Sequence, residues 1–176
     1  AGDIMARGFL IGGISGRTTL SGEGLQHQDG HSHHFMFAVP CLKAYDPAFA
    51  YEIAVIVRTG LDRMVNKQEN IFYYITMMNE FYPMPEMPQG AEEGIIRGMY
   101  RFRDSSAGEK NRPRVVLMGS GAILNEALKA QQLLESEYDV SAEAWSVTSY
   151  KELYYDAIET DRWNLLHPDQ QPRQNY

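Results

Sequence analysis

A chain of 176 residues with 44% hydrophobic and 22% charged side chains has the composition of a globular protein with one core or two small ones, which sets disorder and collagen-like order aside. Its formal net charge of −7 comes with no run of lysine and arginine, so it lacks the basic surface that neutralises nucleic-acid phosphates. The single cysteine, Cys41, permits no internal disulfide, and no apolar stretch nears the ~18 residues that cross a bilayer, so the expectation is a cytosolic chain that neither binds nucleic acid nor enters a membrane.

The amino end, AGDIMARGFLIGG, has neither an initiator Met nor a basic region ahead of its apolar segment, so it reads as a chain entered partway and not as a secretory leader. Residues 8–14 predict a short buried strand with a tight turn at its end. The polar stretch GRTTLSGEGLQHQDGHSHH that follows predicts a long loop, the kind that carries function in compact domains. Residues 35–39 predict another strand, closed by Pro40. Asp46 as an oxygen cap and Pro47 at the first helical position predict a helix, with Phe49, Ile53, Ile56, Val57 and Leu61 at helical spacing. The run IFYYITMM, residues 71–78, is continuous and β-branched or aromatic, as for a strand covered on both faces of a parallel sheet. A proline-rich turn and a short helix over 91–99 follow. Residues 104–113 are polar and without apolar periodicity, and are taken as a linker. Beyond it come a strand at 115–118, a GSG turn, a helix facing inward through Ile123, Ala127, Ala130 and Leu134, a strand at 140–147 and a helix from 150 to about 163. This alternation predicts an α/β fold of mostly parallel sheets layered with helices, in two units that divide near residue 110.

Four of the five histidines, His27, His31, His33 and His34, fall within eight positions, in a loop that also carries Glu23 and Asp29. Imidazoles and carboxylates converging in a loop suit a divalent metal. Against that stand the absence of any His-Glu-x-x-His or cysteine-rich ligand pattern and the adjacency of His33 and His34, whose side chains diverge in an extended chain. No residue is assigned as a metal ligand. A second reading is acid–base: Glu23 and His27 are four apart, so on one helical turn they share a face, and a carboxylate beside an imidazole fixes its tautomer and raises its proton affinity. A polar surface loop is the third reading. The GSG of residues 119–121 lies between a strand and a helix, but Leu124 stands where a dinucleotide fingerprint has its third glycine, so a plain tight turn is favoured. Cys41 reads as a small buried hydrophobe.

Taken in order, the segments ARGFLIGGISGRTTLSGEGLQHQDGHSH, YDPAFAYEIAVIV, QENIFYYITMMNE, MPQGAEEGI and SVTSYKEL resemble the homodimeric, mainly bacterial pyruvate dehydrogenase decarboxylating component. GEGLQHQDGHSH is the most specific of them; transketolases carry a looser relative of it. The resemblance implies part of a thiamine-diphosphate-binding fold followed by the start of a transketolase C-terminal-like domain. Residues 1–103 would be the C-terminal part of the middle, aminopyrimidine-binding domain, 104–113 a linker, and 114–176 the N-terminal part of the last α/β domain. It implies oxidative decarboxylation of pyruvate with transfer of the acetyl unit to a lipoyl group on a dihydrolipoamide acetyltransferase partner, in a cytoplasmic bacterial homodimer. Glu23 and His27 match positions lining the cleft where thiamine diphosphate and pyruvate meet, His27 as a catalytic and cofactor-contacting group and Glu23 as part of the polar network. Asp29, His31 and Ser32 match the same motif without an assigned role. His34 and Phe35 depart from the family's aliphatic pair, as Cys41 and Leu42 depart from an NC-like pair, which bears on local packing. The family's GDG and NN segments for diphosphate and Mg2+, and its ring-activating glutamate, are not in this sequence, so the isolated chain is expected to be inactive. The alternatives are a transketolase-like two-carbon transfer enzyme and a noncatalytic metal-binding domain built on the histidine loop.

Overall fold

The computed structural model describes residues 1–13, 29–78, 80–106 and 112–176. Among the described residues six strands form two three-stranded sheets. The first holds β1 (Phe9–Gly12), β2 (Leu42–Tyr45) and β3 (Phe72–Thr76) in the order β1-β3-β2, with all pairings parallel. β3 lies in the centre and all five of its residues are buried, which is why its sequence is continuously apolar instead of alternating. One face, through Tyr73 and Ile75, packs on Val55, Ile56 and Met64; the other, through Phe72 and Tyr74, packs on Leu42 and Ala44. The helix α2 (Ala50–Leu61), which extends into a π-helical turn to Asn66, supplies the first of these layers. It rides so close to the sheet that a Cβ at Gly60 would stand 2.8 Å from the ring of Phe9.

The second sheet holds β4 (Met99–Arg103), β5 (Arg114–Gly119) and β6 (Ser141–Val147) in the order β4-β6-β5, with β5 parallel and β4 antiparallel to β6. Helix α4 (Leu124–Glu137) packs on β5 and β6, and α5 (Tyr150–Leu166) reaches back to β2. The α/β class with mostly parallel strands is as the sequence predicts. The linker expected at 104–113 joins two strands of one sheet, and the change of sheet falls earlier, between β3 and β4. The link there is a short helix, α3 (Ala91–Arg97), ended by Gly98 at φ +116. The alternating, charged MYRFR of β4 carries no signal of a covered strand.

Two expectations are corrected. Residues 35–39 are not a strand: α1 (Ser32–Met36) occupies the start of that stretch and Phe35 is 69% exposed, while the strand β2 begins just beyond Pro40. Asp46 does not cap α2. Glu52 does so from inside the helix, accepting from the N–H groups of Ala48 at 2.5 Å and Phe49 at 3.1 Å.

Glu52 also joins the sheets. Its other oxygen accepts from the hydroxyls of Tyr100 on β4 and Ser146 on β6, each at 2.7 Å. Around it the Asp46 N–H donates to the Thr148 carbonyl at 2.8 Å, the Ser149 hydroxyl to the Ala44 carbonyl at 2.6 Å, and the Tyr45 hydroxyl to the Ile96 carbonyl at 2.8 Å. Burial raises the Glu52 carboxyl pKa above its ordinary value, and the four donors oppose this without cancelling it. The folded chain therefore holds the Glu52 proton to higher pH than the unfolded chain does. That contribution to stability is fully present below about pH 4.3 and is lost as pH rises through the folded-state value. In urea titrations Glu52→Ala is expected to cost about 3–5 kcal/mol, since it strands four buried donors, and Glu52→Gln less, with the Glu52-dependent part of the pH slope removed.

Candidate functional site at the carboxyl edge of the first sheet

The histidine loop leaves the first sheet at the carboxyl end of β1. Glu23 and His27 lie outside the described residues. From Asp29 onward the geometry is defined. The Asp29 carboxylate accepts from the N–H groups of His31 at 3.0 Å and Ser32 at 2.9 Å and from the Ser32 hydroxyl, which starts the turn of α1. Burial pushes the Asp29 pKa up, but the Ser32 and His31 bonds and the charge of His33 prevail, and the net shift is downward.

Alternation along β3 puts Phe72, Tyr74 and Thr76 on one face, and α1 lies against the end of that face. The Tyr74 hydroxyl donates to Ser32 Oγ at 3.0 Å, the His33 ring stands edge-on to Tyr74 at 5.4 Å, and His33 Nε2 is 3.1 Å from Thr76 Oγ1. His31 and His34 are exposed. The fold thus turns Ser32 and His33 onto the strand end and leaves His31 and His34 outside. Among the described residues no three His, Cys, Asp or Glu side chains are grouped to hold a metal ion.

The far end of α1 is gripped by the second half of the chain. Lys151 Nζ donates to the carbonyls of Met36 and Val39, each at 2.6 Å, and the Tyr155 hydroxyl donates to the Phe37 carbonyl at 2.8 Å. Lys151 and Tyr155 are four apart on α5, so one face of that helix serves three carbonyls at the end of α1, of which those of Met36 and Val39 also accept from the Val39 and Leu42 N–H groups. Burial pulls the Lys151 ammonium down to about 8, against the opposing charge of Glu152.

Sequence reasoning found the loop but not the residues that seat it: Thr76, Asp46 and Lys151. Thr76, a polar residue inside the apolar run at 71–78, was the available signal. The GSG turn is structural. A Cβ on Gly119 would stand 2.6 Å from Leu124 Cα, and one on Gly121, at φ +53, would stand 2.6 Å from Met78 Cε and 2.9 Å from Asp46 Oδ1. Cys41 is half-buried beside the cluster of Leu42, Ala44, Phe72 and Tyr74.

Two family profiles account for nearly all of the chain: the pyruvate dehydrogenase E1 component middle domain matches residues 1–85, and the transketolase-like TK C-terminal domain matches residues 98–174. The pyruvate dehydrogenase E1 component of Pseudomonas aeruginosa is 52% identical over 176 residues, and that of Escherichia coli K12 is 53% identical over 177. The chain belongs to the pyruvate dehydrogenase E1 component family. Each alignment takes in 100% of this chain and 20% of the relative, so the chain spans about a fifth of the length of the curated E1 components it matches. A transketolase of Pichia stipitis (mutant R525L) superposes with a TM-score of 0.57 at 14% identity, over 78% of this chain and 18% of its own. The same enzyme in complex with sedoheptulose 7-phosphate gives 0.57 at 15%, over 81% and 19%. These likenesses show a transketolase-like fold. No helix among the described residues is long and apolar enough to cross a membrane.

Asp29 is the described residue of the motif whose removal is simplest to read. Asp29→Ala is expected to lower stability by about 1 kcal/mol, the usual value of a capping carboxylate. Because its folded-state pKa is lowered, the Asp29 contribution is present above about pH 3.9 and lost as pH falls through the folded value. Urea midpoints of both proteins between pH 3 and 6 check this, with the gap closing at the acid end.

Proposed function

We propose that the chain is part of a pyruvate dehydrogenase that decarboxylates pyruvate with thiamine diphosphate and passes the acetyl unit to a lipoyl group of a dihydrolipoamide acetyltransferase. The observation that carries the reading is where the two ends of the histidine loop lie. It departs at the carboxyl end of β1 and is seated by His33 at the carboxyl end of β3, the edge where open α/β sheets take their ligands. Thiamine diphosphate, when bound, supplies the electron sink for decarboxylation.

The groups joined at this edge, His33, Thr76, Asp46 and Ser120, are bonded to one another and include a carboxylate and neither ammonium nor guanidinium, so this set does not suit the diphosphate of that cofactor. The diphosphate and Mg2+ would be held by parts of the parent enzyme that this chain does not contain. In this reading Glu23 and His27, in the middle of the loop, face the same crevice, whose other walls come from the rest of the enzyme and its second copy. His27 exchanges a proton with the substrate-derived group and Glu23 orients it, in a bacterial cytoplasmic homodimer.

The test is kinetic. In the complete enzyme, consumption of pyruvate with a lipoyl acceptor is expected, and His27→Ala is expected to lower kcat at least tenfold with little change in stability. Consumption of ketose phosphates in place of pyruvate would transfer the chain to the transketolases, and an unchanged kcat would remove His27 from the mechanism. The isolated 176-residue chain is expected to show no micromolar binding of thiamine diphosphate by titration calorimetry.

A further inference from the structure

A second polar feature crosses the molecule at the same edge. Thr76 Oγ1 lies 2.5 Å from Asp46 Oδ1 and 3.1 Å from His33 Nε2, and Ser120 Oγ lies 2.8 Å from Asp46 Oδ2. The direction of these bonds follows from the proton inventory. A carboxylate only accepts, so the Thr76 hydroxyl spends its one proton on Asp46 and must accept from His33, which puts a hydrogen on Nε2 of that imidazole. Asp46 itself is held at both ends of its backbone, donating to the Thr148 carbonyl at 2.8 Å and accepting from the Gly121 N–H at 3.0 Å. It is buried, and the conformation of Gly121 closes the space beside its carboxylate. Asp46 was expected to cap a helix, and the structure frees it from that task by letting Glu52 do so.

We propose that Thr76 is a positioning residue for the histidine loop, oriented by Asp46 and Ser120, so that the GSG turn of the second sheet fixes where the loop sits on the first. The two bonds on the Asp46 carboxylate are buried and fix the Thr76 hydroxyl on which the half-buried His33 bond ends. The other end of the segment, at Phe37 and Val39, is held by α5, and toward Asp29 the segment's contacts with β3 are His33 on Thr76 and Ser32 on Tyr74. Thr76 touches no reacting atom in this account; it acts through His33. The effect on turnover rests on the dehydrogenase reading, because small misplacements of a catalytic group are what turnover registers: about 1 Å can cost ~100-fold.

The experiment uses the complete enzyme and the pair Thr76→Val and Thr76→Ser. Valine keeps the shape and removes the hydroxyl; serine restores it. Thr76→Val is expected to lower kcat about tenfold or more with KM for pyruvate within about twofold, and Thr76→Ser to recover most of the rate. Crystal structures of both are expected to show His33 displaced from the end of β3 in the valine variant alone. The proposal is overturned if His33 stays in place in Thr76→Val, or if the valine and serine variants are equally impaired. Should the wild-type enzyme fail to consume pyruvate, the dehydrogenase reading falls while the two crystal structures still decide the position of His33.

Discussion

The fold depends on burying one carboxylate. Glu52 sits with no exposure in the first turn of α2 and accepts from two backbone N–H groups of its own helix start and two hydroxyls of the opposite sheet. An unpaired charge in that position would be prohibitive, and a carboxylate with all its lone pairs answered is tolerable only while both sheets stay in place. The residue therefore converts helix initiation and sheet docking into one event. Its neighbours follow the same plan: Asp46, Ser149 and Tyr45 each send or receive a bond across the junction, so the two sheets meet through paired polar groups around a modest apolar seam.

That junction explains which parts of the fold were legible in the sequence. The central strand was, because a run such as IFYYITMM needs both faces covered and few other environments provide this. Helix α4 was legible as a helix, but not its face: Ile123 is exposed ahead of it, and its buried residues are Leu124 and Gln131. The start of α2 was misread because Asp46 and Pro47 have the chemistry of a cap, and it takes distant partners, Thr76 and Ser120, to show that the carboxylate is engaged elsewhere. The stretch at 35–39 looked like a strand because it is apolar, yet Phe35 is exposed and the turn is set by Asp29, whose bonding is local but whose consequence is not. β2 and β4 were missed since four or five residues with a lysine or two arginines carry little periodic signal.

The candidate site divides in the same way. A cluster of histidines announces itself by composition, and the seat of the cluster does not. Thr76 and His33 are 43 positions apart, and Lys151 and Met36 are 115 apart; no local pattern encodes such pairs. What sequence does carry is kinship: relatives about half identical across the full chain identify the family without locating one contact.

The grip of α5 on α1 bears on how far this chain is modular. By order in the sequence the histidine segment is part of the first unit, yet three of its carbonyls are served by Lys151 and Tyr155 of the second. Grafting the first unit alone onto a foreign partner would remove the Tyr155 donor from the Phe37 carbonyl and leave those of Met36 and Val39 with their backbone donors only. A chimera exchanged among relatives should carry the segment and the amino-terminal turns of α5 as one block, and evolution of either is constrained by the other.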